Sequence, residues 1–336
     1  MEAKGWITGD ESAKEMLGRV LSRARPFLLL PPLHRVPLRP RNVLEIVGPS
    51  PSAKTHLLIQ AALTCVLPID WNGVHYGGFD GFVIFIDLDC RFDIFRFSHL
   101  LKLRLASGSI SEIDREQNNN TKERSSIAYD EELYTLCMRR FLYVRCYDSF
   151  EFLATLKTLH YRIQKEKAYG TCVHMLLIDS IGAFHWIDRA STCLPLRGNN
   201  NRKSHSIQAV LETVVQEIRK LLLLHPMLAI ATKATLFGNR AMNEAKCRNL
   251  RKPDTSNSQS GGITALQLPY REYMPSVWQT FVTHRILLRP SDDHLAVSDD
   301  QNHSVYFSEW LMPSLSFLDK FIVKEVSSLL HEVYEG

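Results

Sequence analysis

A chain of 336 residues, 45% hydrophobic and 23% charged, has the balance of a water-soluble globular protein and room for one large domain or two small ones. Its formal net charge of +4 permits contact with nucleic acid without demanding it. The seven cysteines form no C-x-x-C pair and no zinc spacing, which excludes a zinc module and points to free, mostly buried thiols in a reducing compartment.

In chain order, several arginines precede residue 42, but so do Glu2, Asp10, Glu11 and Glu15, a mixture that fits neither a secretory leader nor a transit peptide. Residues 10–24 predict a short amphipathic helix with Met16, Leu17, Val20 and Leu21 on one side. Arg25 to Arg41, with prolines at 26, 31, 32, 37 and 40, predicts an extended connector. Residues 1–41 are therefore expected to be a helix and connector ahead of a core over 42–336. Helix and connector would dock on a partner protomer, or the helix would pack on that core.

The core alternates apolar strands at 43–47, 82–87, 141–146, 173–178 and 228–232 with helices at about 54–67, 91–106, 130–139, 149–167 and 205–224. Continuous apolar strands between amphipathic helices predict an α/β fold, a mostly parallel twisted sheet covered on both faces. Runs at 281–288, 304–307 and 317–323 would extend the sheet as a meander. Polar stretches at 107–129, 188–204 and 235–270 interrupt the core, and loops of that length are functional or disordered. No repeat is visible. The apolar run from Leu221 to Thr232 is broken by His225-Pro226, so no membrane contact is expected.

One junction carries chemistry. Gly48-Pro49-Ser50-Pro51-Ser52-Ala53-Lys54-Thr55 sits between a strand and a helix. That is the frame of a loop that holds phosphates with backbone N–H groups and the positive end of the helix. ATP and Mg²⁺ are the expected ligands, with Gly48, Ser52 and Ala53 shaping the cradle. Lys54 would reach the β and γ phosphates, and Thr55 would place its hydroxyl on the metal. The usual pattern has a second glycine where this chain has Ala53, and alanine resists the positive φ that glycine accepts. Pro51 lacks an N–H and Pro49 stiffens the entry, so affinity should fall. An ordinary Ser/Pro turn would have the same local composition.

Strand 173–178 runs into Asp179-Ser180, a position where an acidic residue holds a Mg²⁺-bound water. Strand 82–87 runs into Asp87-Leu88-Asp89, where Asp89 would serve as general base toward an attacking water. Helix capping is the competing role for both carboxylates.

Three segments resemble RecA/Rad-type recombinase paralogues: residues 83–93 (Val-Ile-Phe-Ile-Asp-Leu-Asp-Cys-Arg-Phe-Asp), 176–189 (Leu-Leu-Ile-Asp-Ser-Ile-Gly-Ala-Phe-His-Trp-Ile-Asp-Arg) and 274–285 (Met-Pro-Ser-Val-Trp-Gln-Thr-Phe-Val-Thr-His-Arg). The likeness extends over about residues 42–290. It implies a RecA-like P-loop ATPase core and a nuclear, accessory role in homologous-recombination repair of DNA double-strand breaks, with roles in fork protection and meiosis. It also implies a complex with other recombinase paralogues, the D paralogue as direct neighbour, that supports recombinase assembly on single-stranded or branched DNA. Full-length recombinases begin with a helical DNA-binding domain, and this chain has no room for one ahead of its core.

Carried over by position, Lys54, Thr55 and Asp179 match the phosphate and metal contacts of the resemblance. Asp89 stands where active recombinases have a glutamate, one methylene longer, which should slow hydrolysis. In Ile230-Ala231-Thr232-Lys233-Ala234-Thr235, the amide that senses γ-phosphate is replaced by Ala234. Ala53, Asp89 and Ala234 together point to weak or vestigial turnover. The DNA-contacting loops would be 188–204, with Arg189, Arg197, Arg202 and Lys203, and 235–270, with Arg240, Lys246, Arg248, Arg251 and Lys252 around a Gly261-Gly262 hinge. Solvated loop charge is the competing role. Trp186 and Trp278 are expected to pack rather than stack on bases. Two other functions stay open: a competent DNA-stimulated ATPase, and an unrelated P-loop small-molecule kinase.

Overall fold

The computed structural model describes residues 26–113, 129–193, 207–235, 270–296, 302–323 and 331–332. Its strands are β1 (Val43–Gly48), β2 (Asp70–Trp71), β3 (Val74–His75), β4 (Phe82–Asp87), β5 (Phe141–Arg145), β6 (Val173–Asp179), β7 (Leu228–Ala234), β8 (His284–Ala296), β9 (Asn302–Met312), β10 (Ser314–Ile322) and β11 (His331–Glu332). Its helices are α1 (Lys54–Val66), α2 (Ile94–Ile113), α3 (Glu131–Arg139), α4 (Ser149–Ala168), α5 (His185–Cys193), α6 (Ile207–Leu224) and α7 (Ser276–Phe281). Nine strands form one sheet in the order β11-β10-β9-β8-β1-β7-β6-β4-β5. From β8 to β5 neighbours run parallel, and β8 to β11 form an antiparallel meander. This is the α/β arrangement expected from the alternation of apolar runs, and it is consistent with the RecA-like core that the resemblance implies.

The apolar runs are continuous because both faces of the sheet are covered, and the strand period of two sorts each run between two cores. Along β4, Val83 and Phe85 face one cluster with α1, α2 and α3, while Phe82, Ile84 and Ile86 face the other with α4, α6 and α7. Burying each Leu, Ile or Phe fully is worth about 1.5–3 kcal/mol. Under α2, the rings of Phe85, Phe92, Phe97, Phe141 and Tyr143 pack together, with Phe97 and Phe141 centroids 4.1 Å apart. The helix starts follow local chemistry. Asp148 caps α4 by accepting from Glu151 N, and the Glu151 carboxylate accepts in return from Tyr147 N, one residue ahead of the cap. Asp130 caps α3 and also accepts from Trp71 Nε1 at 2.8 Å, tying down the β2–β3 hairpin.

Three features depart from the expectations. Asn72-Gly73 turns β2 into β3 with φ of 50° and 85°, the pair of positive angles that an Asn-Gly hairpin favours. The first part of the expected polar loop 188–204 is helical, within α5, and a short helix, α7, precedes β8. The connector after residue 25 also packs on its own core. Phe27, Leu29, Leu33, Val36 and Leu38 join the α1 side of the sheet, and Arg35 forms a two-bond contact with Asp319 at 2.8 and 3.1 Å. The expected helix at 10–24 lies outside the described residues. Cys65, Cys137 and Cys146 are buried free thiols, as expected, whereas Cys90 and Cys172 are exposed. No helix among the described residues is long and apolar enough to cross a membrane.

Candidate nucleotide site

The parallel strands end together, with Gly48 of β1 beside Ala234 of β7 and Asp87 of β4 beside Asp179 of β6. In an open α/β sheet, ligands bind in the crevice past these carboxyl ends. Here the crevice is a cavity of about 620 Å³ lined by Ser50 to His56, Asp89, Arg91, Arg96, Asp179, Ser180 and Ala234, with Ser304, Tyr306 and Val323 forming a side wall. The phosphate loop, Asp89, Asp179 and Ala234 therefore share one space, although they come from four separate turns of the chain.

Lys54 has curled onto its own loop. Its ammonium donates to Gly48 O at 2.9 Å, Pro49 O at 2.7 Å and Ser52 Oγ at 3.0 Å. Burial lowers its pKa to about 8. Gly48 must be glycine, because a Cβ there would stand 2.6 Å from both Leu288 O and Ser52 Oγ. Asp179 is only 2% exposed and accepts from Thr55 Oγ1 at 2.6 Å and from the Thr232 hydroxyl. Burial pushes its pKa up, against the two hydroxyl bonds. A buried carboxylate beside a threonine hydroxyl, facing a cavity with three cationic side chains, suits Mg²⁺ and a polyphosphate. Thr55 and Asp179 would hold the metal, and Lys54 and the loop N–H groups the phosphates.

At Ala53 the loop adopts the angle that alanine resists. The residue is in the left-handed conformation despite its Cβ, with φ 59° and ψ 13°, so the loop closes at the cost of strain. Ala53→Gly is expected to stabilise the ligand-free protein by about 1 kcal/mol, seen as a higher urea midpoint at unchanged slope. No gain would mean the backbone is not strained there.

The two acidic positions on the β4 turn have different roles. Asp87 is fully buried and structural, accepting from Tyr143 Oη at 2.9 Å and from the backbone N–H groups of Asp89 and Phe92. Asp89 faces the cavity and pairs with Arg91, Nε to Oδ2, at 3.0 Å. Arg96 donates to His56 Nδ1 at 3.2 Å, and burial together with Arg96 lowers the His56 pKa to about 4.

Sequence reasoning missed a buried charge cluster beneath this site. Glu45, in the middle of β1, lies between Lys233 of β7 and Arg285 of β8. It accepts from Trp278 Nε1 at 2.7 Å and pairs with Lys233 Nζ at 3.0 Å and Arg285 Nε at 2.5 Å. Lys233 also donates to Glu272 at 2.7 Å, and Glu272 accepts from the N–H groups of Tyr273 and Met274. The available signal was charge inside apolar strands. A Glu in Val-Leu-Glu-Ile-Val can be buried only with partners.

Of the residues expected to contact DNA, Arg189 is described. It is exposed on α5, with its guanidinium 6.0 Å from the Trp186 ring centroid. Arg197, Arg202, Lys203, Arg240, Lys246, Arg248, Arg251, Lys252 and the Gly261-Gly262 hinge lie outside the described residues. Trp278 is 1% exposed and packs as expected, whereas Trp186 is 48% exposed, because α5 turns its ring outward beside Tyr273.

No family model matches the chain. It is 51% identical to the DNA repair protein XRCC2 homolog of Arabidopsis thaliana over 98% of its own length and 90% of that protein. It is 26% identical to the mouse DNA repair protein XRCC2 over 84% of its own length and 85% of that protein.

Proposed function

The chain belongs to the XRCC2 family, and from that premise we propose that it is an accessory subunit of DNA repair by homologous recombination, working in the nucleus. In this reading it joins other recombinase paralogues, with the D paralogue as direct neighbour, in a complex that assembles recombinase on single-stranded or branched DNA. It binds Mg-ATP weakly and turns it over slowly or not at all. The names of both relatives support repair. The observation that carries the nucleotide part is the self-occupied cradle, in which the Lys54 ammonium already has three oxygen partners from its own loop.

Phosphate must compete for Lys54 with those oxygens, and the cradle lacks the Pro51 N–H. Both effects lower affinity without abolishing it. Turnover is slowed separately, by the short Asp89 and by Ala234, which puts no polar group into the cavity. Bound Mg²⁺ would neutralise phosphate charge. The chain's own groups would position it, Asp179 and Thr55 at the metal and Lys54 at the phosphates.

Calorimetry of Mg-ATP binding to wild type and Lys54→Ala, each with and without the D paralogue, tests this reading. Weak wild-type binding that falls at least tenfold in the variant, with complex formation intact, is the expected result. In cells lacking the protein, Lys54→Ala should restore repair almost as well as wild type. A clear repair defect in that variant would sink the idea that nucleotide turnover is dispensable.

A further inference from the structure

Resting on the reading of residues 48–55 as an ATP site, we infer that Arg91 is the side chain that reads the terminal phosphate, and that it does so by leaving Asp89. The Arg91 guanidinium spans the cavity mouth. Its Nε lies 3.0 Å from Asp89 Oδ2, and its Nη1 donates to Ser50 Oγ at 2.9 Å. Ser50 belongs to the phosphate loop and Asp89 to the turn after β4. All three residues line the cavity that also holds Lys54, Asp179 and Ala234.

The exchange of partners is favourable. Arg91 and Asp89 are 58% and 36% exposed at their side chains, and an ion pair that open to water is weak. A triphosphate carries more charge and takes a guanidinium through two parallel hydrogen bonds. Lys54 must leave three oxygens of its own loop to reach phosphate, and Arg96 donates to His56, whereas the Arg91–Asp89 pair is open to water. Ala234 has no polar group for the task. Moving Arg91 onto phosphate also uncovers the Asp89 carboxylate, so one side chain links occupancy of the terminal position to availability of the general base. ADP lacks that phosphate and leaves Arg91 on Asp89.

The test compares Mg-ATP and Mg-ADP affinity by calorimetry for the full chain, Arg91→Ala, Arg91→Lys and Lys54→Ala. Wild type is expected to prefer ATP by about tenfold or more, the size of a charge-assisted phosphate contact. Arg91→Ala should lose most of that preference by weakening ATP alone, and Arg91→Lys should recover part of it. Because Arg91 is exposed, its replacement leaves the core intact. An undiminished preference in Arg91→Ala overturns the role of Arg91 and leaves the nucleotide site standing. If wild type binds neither nucleotide, or Lys54→Ala binds both as tightly as wild type, the site itself is overturned and the role of Arg91 with it.

Discussion

Glu45→Ala should cost about 3–5 kcal/mol of folding free energy, the loss typical of breaking a buried ion pair from one side. Glu45 and Lys233 have no exposed side-chain surface, and Arg285 is nearly as buried. Without Glu45, Arg285 loses its close carboxylate, since the nearest Glu272 contact is 4.0 Å away, and the Trp278 indole N–H loses its acceptor. Lys233 keeps Glu272. The residual charge beneath β1 is then +1 in a nearly fully buried space. Glu45→Gln keeps an acceptor for Trp278 but not the charge, and should fall between wild type and alanine. A paired change, Glu45→Leu with Lys233→Met, should recover part of the loss by removing charge from both sides; beside Glu45→Leu and Lys233→Met alone, additive losses would mean the two residues do not interact. Urea unfolding reads all of these proteins, and a cost below about 1 kcal/mol for Glu45→Ala would refute the cluster's role, since that is the range of exposed pairs.

The cluster has a position that matters for function. Lys233 directly precedes Ala234 at the cavity, and Glu272 follows Tyr270, where the chain re-enters the described structure after residue 269. Lys233 and Glu272 thus pin the two ends of the segment expected to contact DNA. Tyr273, next to Glu272, packs against His185 and Trp186 at the start of α5. The start of α5, which carries the first residues of the other expected DNA-contacting segment, thus packs on the same region. A loss of stability in Glu45→Ala should loosen that region as well as the sheet.

How far the sequence could be read depends on the range of the interaction concerned. The parallel strands were legible because burial on both faces demands unbroken apolar runs, and Val43–Val47 and Phe82–Ile86 supply them apart from Glu45. The meander was legible from shorter apolar stretches, 304–307 and 317–323, which mark only parts of β9 and β10 because those strands are buried only in part. The Asn72-Gly73 hairpin was missed because its strands are two residues each, too short for a period to show. Helix α5 was hidden by the polar residues Asp188, Arg189, Ser191 and Thr192, which resemble a loop in composition. Within the site, Lys54, Thr55 and Asp179 were legible from a loop signature and a strand ending in Asp. Arg91 was not, because its meaning lies in Ser50, which is far away in sequence and reaches it only through the fold. The resistance of Ala53 to a positive φ was legible, whereas the fact that the loop adopts that angle all the same was not, because it follows from the need to join β1 to α1.

Asp179→Asn should leave the ligand-free protein as stable as wild type or more stable, while removing the dependence of ATP binding on Mg²⁺. In the ligand-free state the Asp179 carboxylate is buried, and its two oxygens accept from the hydroxyls of Thr55 and Thr232 rather than from a cation. Two hydroxyl bonds offset only part of the cost of desolvating a charge, and burial accordingly raises the Asp179 pKa. An asparagine has nearly the same shape. Its Oδ1 accepts from one threonine while its Nδ2 donates to the other, whose hydroxyl turns to receive it. The fold therefore loses a buried charge and keeps its hydrogen bonds. The liganded state loses the anionic group that a hard cation needs. Thermal unfolding with and without Mg-ATP separates the two effects. A ligand at a hundredfold excess over its Kd stabilises by about 2.7 kcal/mol, so binding registers as a higher Tm. Wild type should show a shift that shrinks when Mg²⁺ is withdrawn, and Asp179→Asn a smaller shift that does not depend on Mg²⁺. A marked drop in ligand-free Tm would mean that the carboxylate serves the fold, and an undiminished Mg²⁺ response would place the metal elsewhere. A carboxylate that costs stability until a cation arrives is the mark of a binding group, and that is the sense in which a weak site differs from a vestigial one.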